Sequence, residues 1–467
     1  MVDTQTAPTR SESRGWRPRD FDPATLRGKD LGGVDLRKQN LSGAVLSDTN
    51  FGGADLHGCN LVSANLALAN LSGVTLDHAF LTDGYLHGAN LRYAKLRGTL
   101  LTRAVLRGCI MQGADFHGAE LTDASVEWVD MEGAYLTATD LRRAHMMGAK
   151  LREAQMHATD MRGARMDGVN LQKAMMWEAF LGKARLHDAD LSEAYLQAAD
   201  LRGADLRGAD MTGVDFYRAR FEGALYDAAT KTPEELDLRV AGARLIGPGE
   251  DLHGLDLRGV DLRRADLHET NLEGADLRNA DLRDTDLRGA KLKGIKVRGI
   301  LYDDATRFPG VVRPEKVPGY RITPHTSLPS ANLKWADLRD AHLQEADLTQ
   351  ADLSGAYMDA AYLDNVDLSG AVLYNASLRG ATLDGANMQS AFLHGTMMRG
   401  ASMRHANLHG AYVLWVDLTE ADLRDADLTG TVLTEARLHR AIYNPGTKFP
   451  PGFKPADAGM RPYVEGE

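Results

Sequence analysis

Cysteine is nearly missing from this sequence: two in 467 residues cannot build a disulfide framework, and a reducing cytoplasm is the compartment that usage suggests. No apolar run approaches the roughly 18 residues that a membrane-crossing helix needs, so no membrane contact is expected. The opening stretch MVDTQTAPTRSESRGWRPRD lacks the apolar centre of a secretory signal. Residues 1–19 instead suggest a disordered arm, mildly basic through Arg10, Arg14, Arg17 and Arg19. Aromatic residues are 6%, sparse for the three ordinary domains that the length alone would suggest at about 150 residues each. A basic surplus is also missing. The chain has 54 Lys and Arg against 65 Asp and Glu, a net charge of −11, so direct nucleic-acid binding is not expected. Nor is there a G-x-x-x-x-G-K-[ST], G-x-S-x-G or H-E-x-x-H motif. Catalytic, cofactor-binding and metal-ligating residues are therefore all expected to be none.

What is abundant is a period. From Leu26 to Phe221 every fifth residue is apolar, nearly always Leu, Met or Phe. Two residues before each stands a small one (Ala44, Ala54, Cys59, Ala64, Ala69, Val74), and one residue before is commonly Asp or Asn. The unit, A-[DN]-L-x-x, resumes from Leu252 to Val297 and from Leu333 to Leu438. A spacing of five fits neither the 3.6 of an α-helix nor the 2 of a flat strand. It requires every fifth residue to point at one axis. Four units then close a square turn of about twenty residues, and turns stack at roughly the 4.8 Å of paired strands. The central residue fills the axis, the residue two before it points inward near a corner, and the main chain bonds from turn to turn.

This pattern resembles the pentapeptide-repeat family, over most of the chain from about Phe21 to Tyr443. The resemblance implies an all-β fold, a right-handed quadrilateral β-helix. Some members of that family are acidic, dimeric rods that mimic duplex DNA and bind type II topoisomerases such as gyrase.

Three near-copies of one stretch break the period: YDAATKTP from Tyr226, YDDATRFP from Tyr302 and YNPGTKFP from Tyr443. Each Tyr stands on the next expected central position, and the following Pro (Pro233, Pro309, Pro450) cannot donate to a ladder. They are expected to terminate three solenoid blocks and cover otherwise exposed edges, with each tyrosine hydroxyl reaching water. The central positions 26, 252 and 333 differ in phase modulo five, so the breaks are real. The expected layout is block 1 over 20–230, a connector at 231–250 and a short block 2 over 251–309. A Pro-rich linker at 310–330, block 3 over 331–450 and a tail at 451–467 complete it. Block 2 is too short to hold a sizeable core of its own and should pack against a neighbour.

The repeated Asp is expected to be scaffold, bonding turn backbone and pairing with Arg two residues on, as in Asp200-Leu201-Arg202. His57, His117 and His157 share one face but stand two or three coils apart, too far to share one metal ion. Cys59 and Cys109, two and a half coils apart, are expected to be unbridged core thiols. Met131, Met146, Met156, Met161, Met166 and Met176 replace Leu on the axis, where flexible thioethers fill irregular gaps.

The outward apolar residues carry the functional expectation. Stepping by twenty, Val372, Phe392, Tyr412 and Val432 occupy the place where Asp or Asn is usual, with Tyr374, Leu414 and Trp415 on the same wall. A contiguous patch of this kind marks an interface or a surface covered within the chain by the middle block, the linker or the C-terminal tail (Phe449, Phe453, Tyr463). A second cluster joins Tyr135, Met175, Trp177 and Tyr195 in block 1. The expected function is a non-enzymatic scaffold offering flat, charged walls to an unidentified protein partner, with a homodimer through block 3. The alternative, from the resemblance, is a DNA mimic acting on a type II topoisomerase. Residues 333–467 carry 18 acidic and 11 basic side chains, a net −7, so the acidity is real but diluted.

Overall fold

A computed structural model describes residues 26–433 and 435–464; the arm expected over residues 1–19 lies outside the described residues. The chain divides into two compact units, one through Gly247 and one from Pro248. Both are built by the same local rule. After each central residue comes a two-residue turn, whose second member has a positive φ, as in Gly28 (66°), Lys38 (60°) and Trp128 (53°). The next N–H donates back to the central carbonyl, Lys29 to Leu26 at 3.1 Å and Ala44 to Leu41 at 3.1 Å. A positive φ at that third position is the type II turn, which explains the many glycines there.

The residue before the next central position makes one parallel bridge to its equivalent twenty residues on, Asp30 to Asn50, Asn50 to Asn70, Asn70 to Asn90. Across each bridge two bonds form: the Leu31 N–H donates to the Asn50 carbonyl (2.7 Å), and the Asn50 N–H to the Lys29 carbonyl (2.9 Å). Each wall is thus a ladder one residue wide, because turns take up the rest of every side. The result is a right-handed quadrilateral β-helix. Leu26 through Phe221 line the axis of the first unit, and the small residues beside them are equally buried. The six methionines on the axis between Met131 and Met176 are fully buried among them.

The repeated stretches do more than stop the period. In each, the acceptor after Tyr closes a loop that holds one extra residue. Asp227 Oδ1 accepts from the N–H of Ala229 (3.0 Å) and Thr230 (3.1 Å), while Thr230 Oγ1 donates to the Leu206 carbonyl (3.0 Å). Thr306 and Thr447 reach the Leu282 and Leu423 carbonyls in the same way, at 2.8 and 2.9 Å. The extra residue makes the next bridge step twenty-one: Asp210 to Lys231, Asp286 to Arg307, Asp427 to Lys448. That single insertion shifts the phase by one residue per block.

Beyond each copy the chain makes one irregular circuit and returns nineteen residues later as a short strand. β1 (Leu225–Tyr226) pairs with β2 (Arg244–Leu245), β3 (Ile300–Tyr302) with β4 (Gly319–Arg321), and β5 (Ile442–Tyr443) with β6 (Arg461–Pro462), all parallel. The circuits bring apolar residues onto the end of the core: Leu236, Leu238 and Ala243 after the first copy, Ile322 after the second, Met460 with Phe449 and Phe453 after the third. The tyrosines are therefore covered by a further turn of chain and are not the outermost layer. The water-facing hydroxyl expected of Tyr302 is corrected: that ring is buried and its hydroxyl donates to the Pro314 carbonyl at 3.1 Å. The segment expected as a linker, 310–330, holds a 3-10 turn (Pro314–Lys316) and β4, and the ladder of block 3 is running by His325, whose N–H donates to the Gln344 carbonyl (2.9 Å).

Candidate interaction surface

On the second unit, Val372, Phe392 and Tyr412 follow one another as successive bridge partners, so their side chains stand in a column on one wall. The Phe392 and Tyr412 rings lie parallel, 4.7 Å between centroids and 4° between planes. Tyr374 meets Phe392 edge-on at 6.2 Å and His394 at 6.0 Å, and His394 meets Trp415 at 4.7 Å. Five rings thus make one continuous cluster. Tyr412 is 60% exposed and Val432 65%; Tyr374 and Leu414 are also exposed, while Val372, Phe392 and Trp415 are half-buried by their neighbours. Burial pushes His394 below its ordinary pKa, so it joins the cluster as a neutral ring. Through residue 464 the tail does not lie on this wall. Phe449 and Phe453 pack into the end of the core, and Tyr463 sits under Arg424, 4.2 Å from the guanidinium.

The wall is uncharged as well as aromatic. Residues 369–374, 389–394, 409–414 and 429–433 contain no Asp, Glu, Lys or Arg, in a chain that is 25% charged. The signal was in the sequence, but only the twenty-residue step of the bridges places the first three of these stretches side by side, and the Gly410 N–H, bonded to the Thr429 carbonyl at 2.9 Å, brings the fourth next to them.

The second cluster is smaller. Met175 and Tyr195 are bridge partners, and Trp177 meets Tyr195 at 6.2 Å and His157 at 6.3 Å. Tyr135 belongs to the same column but is separated from Met175 by Gln155.

Elsewhere many aspartates of the skin are paired with arginine within their own coil. The Asp before a central residue accepts from the backbone and the guanidinium two residues on: at Asp35, the N–H of Arg37 (3.1 Å), its Nε (2.9 Å) and Nη2 (2.6 Å). Asp140 with Arg142, Asp160 with Arg162, Asp200 with Arg202, Asp276 with Arg278 and Asp286 with Arg288 repeat it. Arg37 and the backbone N–H it brings hold the Asp35 carboxyl down at about 2.

A polar group that sequence reasoning did not single out is buried in the first unit. Arg107 Nε and Nη2 bond Glu127 at 2.9 Å each, and Ser125 Oγ donates to Glu127 at 2.5 Å. Tyr85, Val105, Ser125 and His145 succeed one another there as bridge partners where Asp or Asn is usual, which is the sequence signal for an atypical wall. Burial, with Arg165 beside it, pushes His145 down to about 3, so its ring is neutral. The bonds within this group are mutual, the arrangement of a structural network.

Cys59 and Cys109 are free and buried, their thiols donating to the Leu36 and Leu86 carbonyls; burial raises them to about 11 and about 12. Among the described residues no group of three or more His, Cys, Asp or Glu could hold a metal ion. Nor is any helix there long and apolar enough to cross a membrane.

A square solenoid with flat ladders on its walls and caps at its block ends defines an all-β repeat protein. The description "Pentapeptide repeats" matches at 30–67 and through 69–225, at 256–294, and through 331–412 and 415–442. The chain belongs to the pentapeptide-repeat family. Proteins of this family are in general non-enzymatic structural or interaction proteins. Among solved structures, it is similar to HetL of the cyanobacterium Nostoc sp. strain PCC 7120, a pentapeptide-repeat protein involved in heterocyst differentiation regulation. The identity is 32%, over 43% of this chain and 90% of that one, with a TM-score of 0.29. A pentapeptide-repeat protein of the Arabidopsis thaliana thylakoid lumen is 28% identical over 24% of this chain and 72% of that one, TM-score 0.11. QnrB1, a plasmid-mediated fluoroquinolone resistance protein, is 17% identical over 46% and 91%, TM-score 0.23. A comparison with curated proteins gives no match.

Proposed function

We propose that this chain is a non-enzymatic interaction scaffold that docks protein through the aromatic wall of block 3, with a second copy of itself as the first occupant. The observation that carries the reading is the uncharged column of Val372, Phe392, Tyr412 and Val432, flanked by Tyr374 and Leu414. A neutral face favours an equally neutral one, because a charged partner would lose its hydration there without an opposite charge in return. A twofold contact needs only one self-complementary patch. Burial of such a wall stabilises by roughly 25 cal/mol per Å² of apolar area.

The pairing of Asp with Arg weighs against DNA mimicry, which needs long unbalanced stripes of negative charge to match phosphate density. Two measurements separate the readings. Light scattering at about tens of micromolar should show a wild-type dimer that Tyr412→Asp with Val432→Asp converts to monomer, with little dependence on salt. Both positions are exposed, so the variant should keep its fold. A monomeric wild type removes the self-partner. In a gyrase supercoiling assay the purified protein should have no effect; salt-sensitive inhibition or protection would install the mimic instead.

A further inference from the structure

Block 2 ends in a cap and block 3 restarts the five-residue period one residue out of phase, yet the two blocks belong to one compact unit. The polar connection between their coils runs through Asp337, on the first coil of block 3. Arg263 Nη2 lies 2.7 Å from Asp337 Oδ2, and Arg283 Nη2 donates to the Asp337 main-chain carbonyl. These two arginines stand on successive coils of block 2, twenty residues apart on one wall, where Asp261 and Asp281 are bridge partners. Asp337 is therefore held against the flank of block 2. Its contacts are 74 and 54 residues away in sequence, far outside the twenty-residue step that stacks coil on coil.

Each guanidinium is also fixed in its own coil: Arg263 on Asp261 at 2.6 Å and Arg283 on Asp281 at 2.6 Å. Asp337 likewise keeps its own Arg339, at 2.9 and 2.7 Å. Asp261, Asp281 and Arg283 are buried, and the Asp337 side chain is only 13% exposed, so the charges interact through little water. The cap makes a separate, mainly apolar contact: Leu301 and Ile322 are buried with the core of block 3, and the Tyr320 hydroxyl accepts from the Asn332 N–H at 3.2 Å.

We propose that Asp337, gripped by Arg263 and Arg283, is a latch that locks block 3 onto the flank of block 2. It fixes the direction in which block 3 presents its aromatic wall. When the latch is open, the flank contact is lost, the two blocks are joined only through the cap, and the connecting segment 303–324 opens more often. The device does not depend on what docks at that wall. Because every arginine keeps an aspartate in its own coil, opening the latch leaves no orphaned guanidinium in the interior, and the coils themselves stay intact.

The test uses the full chain and tryptic cleavage after Lys316 and Arg321, both exposed on the connecting segment. Asp337→Asn should speed cleavage there tenfold or more, with cleavage after Arg404, deep in the block 3 ladder, unchanged. Arg263→Gln with Arg283→Gln should do the same from the other side, and adding Asp337→Asn to that pair should accelerate cleavage no further. If Asp337→Asn fails to fold, the arginine pair alone decides. Cleavage at the wild-type rate in either variant overturns the latch. So does equal acceleration after Arg404, which would report loosening of the coils in place of a joint, and so does strict additivity, which would show that the groups do not act together.

Discussion

Leu201→Ala tests the axis on which the whole architecture rests. Leu201 is fully buried, its N–H donates to the Arg220 carbonyl at 2.8 Å, and Leu181 and Phe221 occupy the same wall in the coils before and after. Its neighbours are held by ladder bonds on both sides, such as Leu181 N–H to the Asp200 carbonyl at 2.7 Å, so the site cannot collapse onto the gap. Truncation of a buried Leu in that setting costs about 2.7–5 kcal/mol, the lost transfer energy plus the cavity. At about 1.4 kcal/mol per tenfold, the low end corresponds to roughly a hundredfold rise in local opening. Native-state hydrogen exchange reads this directly. The amides of Leu196, Leu201 and Leu206, bonded to the carbonyls of Asp215, Arg220 and Leu225, should lose protection by that factor. The control is Leu414→Ala on the outer wall, 39% exposed, which should cost about 0.5 kcal/mol. If the two substitutions cost the same, the five-residue period does not mark an inward axis.

Other outcomes follow from the same geometry. Gly355→Ala should destabilise the second unit by well over the about 1–2 kcal/mol of a left-handed alanine, since a Cβ there would stand 2.2 Å from the Trp335 ring. Gly28→Ala, at a similar φ with nothing within 4 Å, should cost only that backbone term in calorimetry. His145, held neutral by burial down to about 3, makes stability fall as pH drops from its ordinary 6.5 towards 3, because only the unfolded chain takes up the proton in that window. His145→Gln should flatten that slope in urea titrations run between these pH values; an unchanged slope refutes the assignment. Cys109, buried and raised to about 12, should react with a thiol reagent only upon unfolding, and rapid labelling of the native protein would contradict its core position.

The sequence by itself determined the coil. A period of five forces one residue in five onto a common axis, and that settles which residues are inside, which share a wall and where the phase breaks. Leu201 inward, Phe392 beside Tyr412 and the paired Asp35 and Arg37 all follow from it, because each is a relation within one coil or between coils twenty residues apart. The left-handed turn position left a trace too, in the glycines two residues after many central residues, although its geometry needed the backbone. The tertiary structure alone decided what happens across the breaks. The strand returning after Tyr226, Tyr302 and Tyr443 lies in irregular circuits without a period to read. The grip of Arg263 and Arg283 on Asp337 depends on the direction taken by the chain after the second cap. A repeat fixes relations at its own step. At distances of 54 and 74 residues, contact depends on the angle between blocks, which the packing of each cap sets and no single residue in the period encodes.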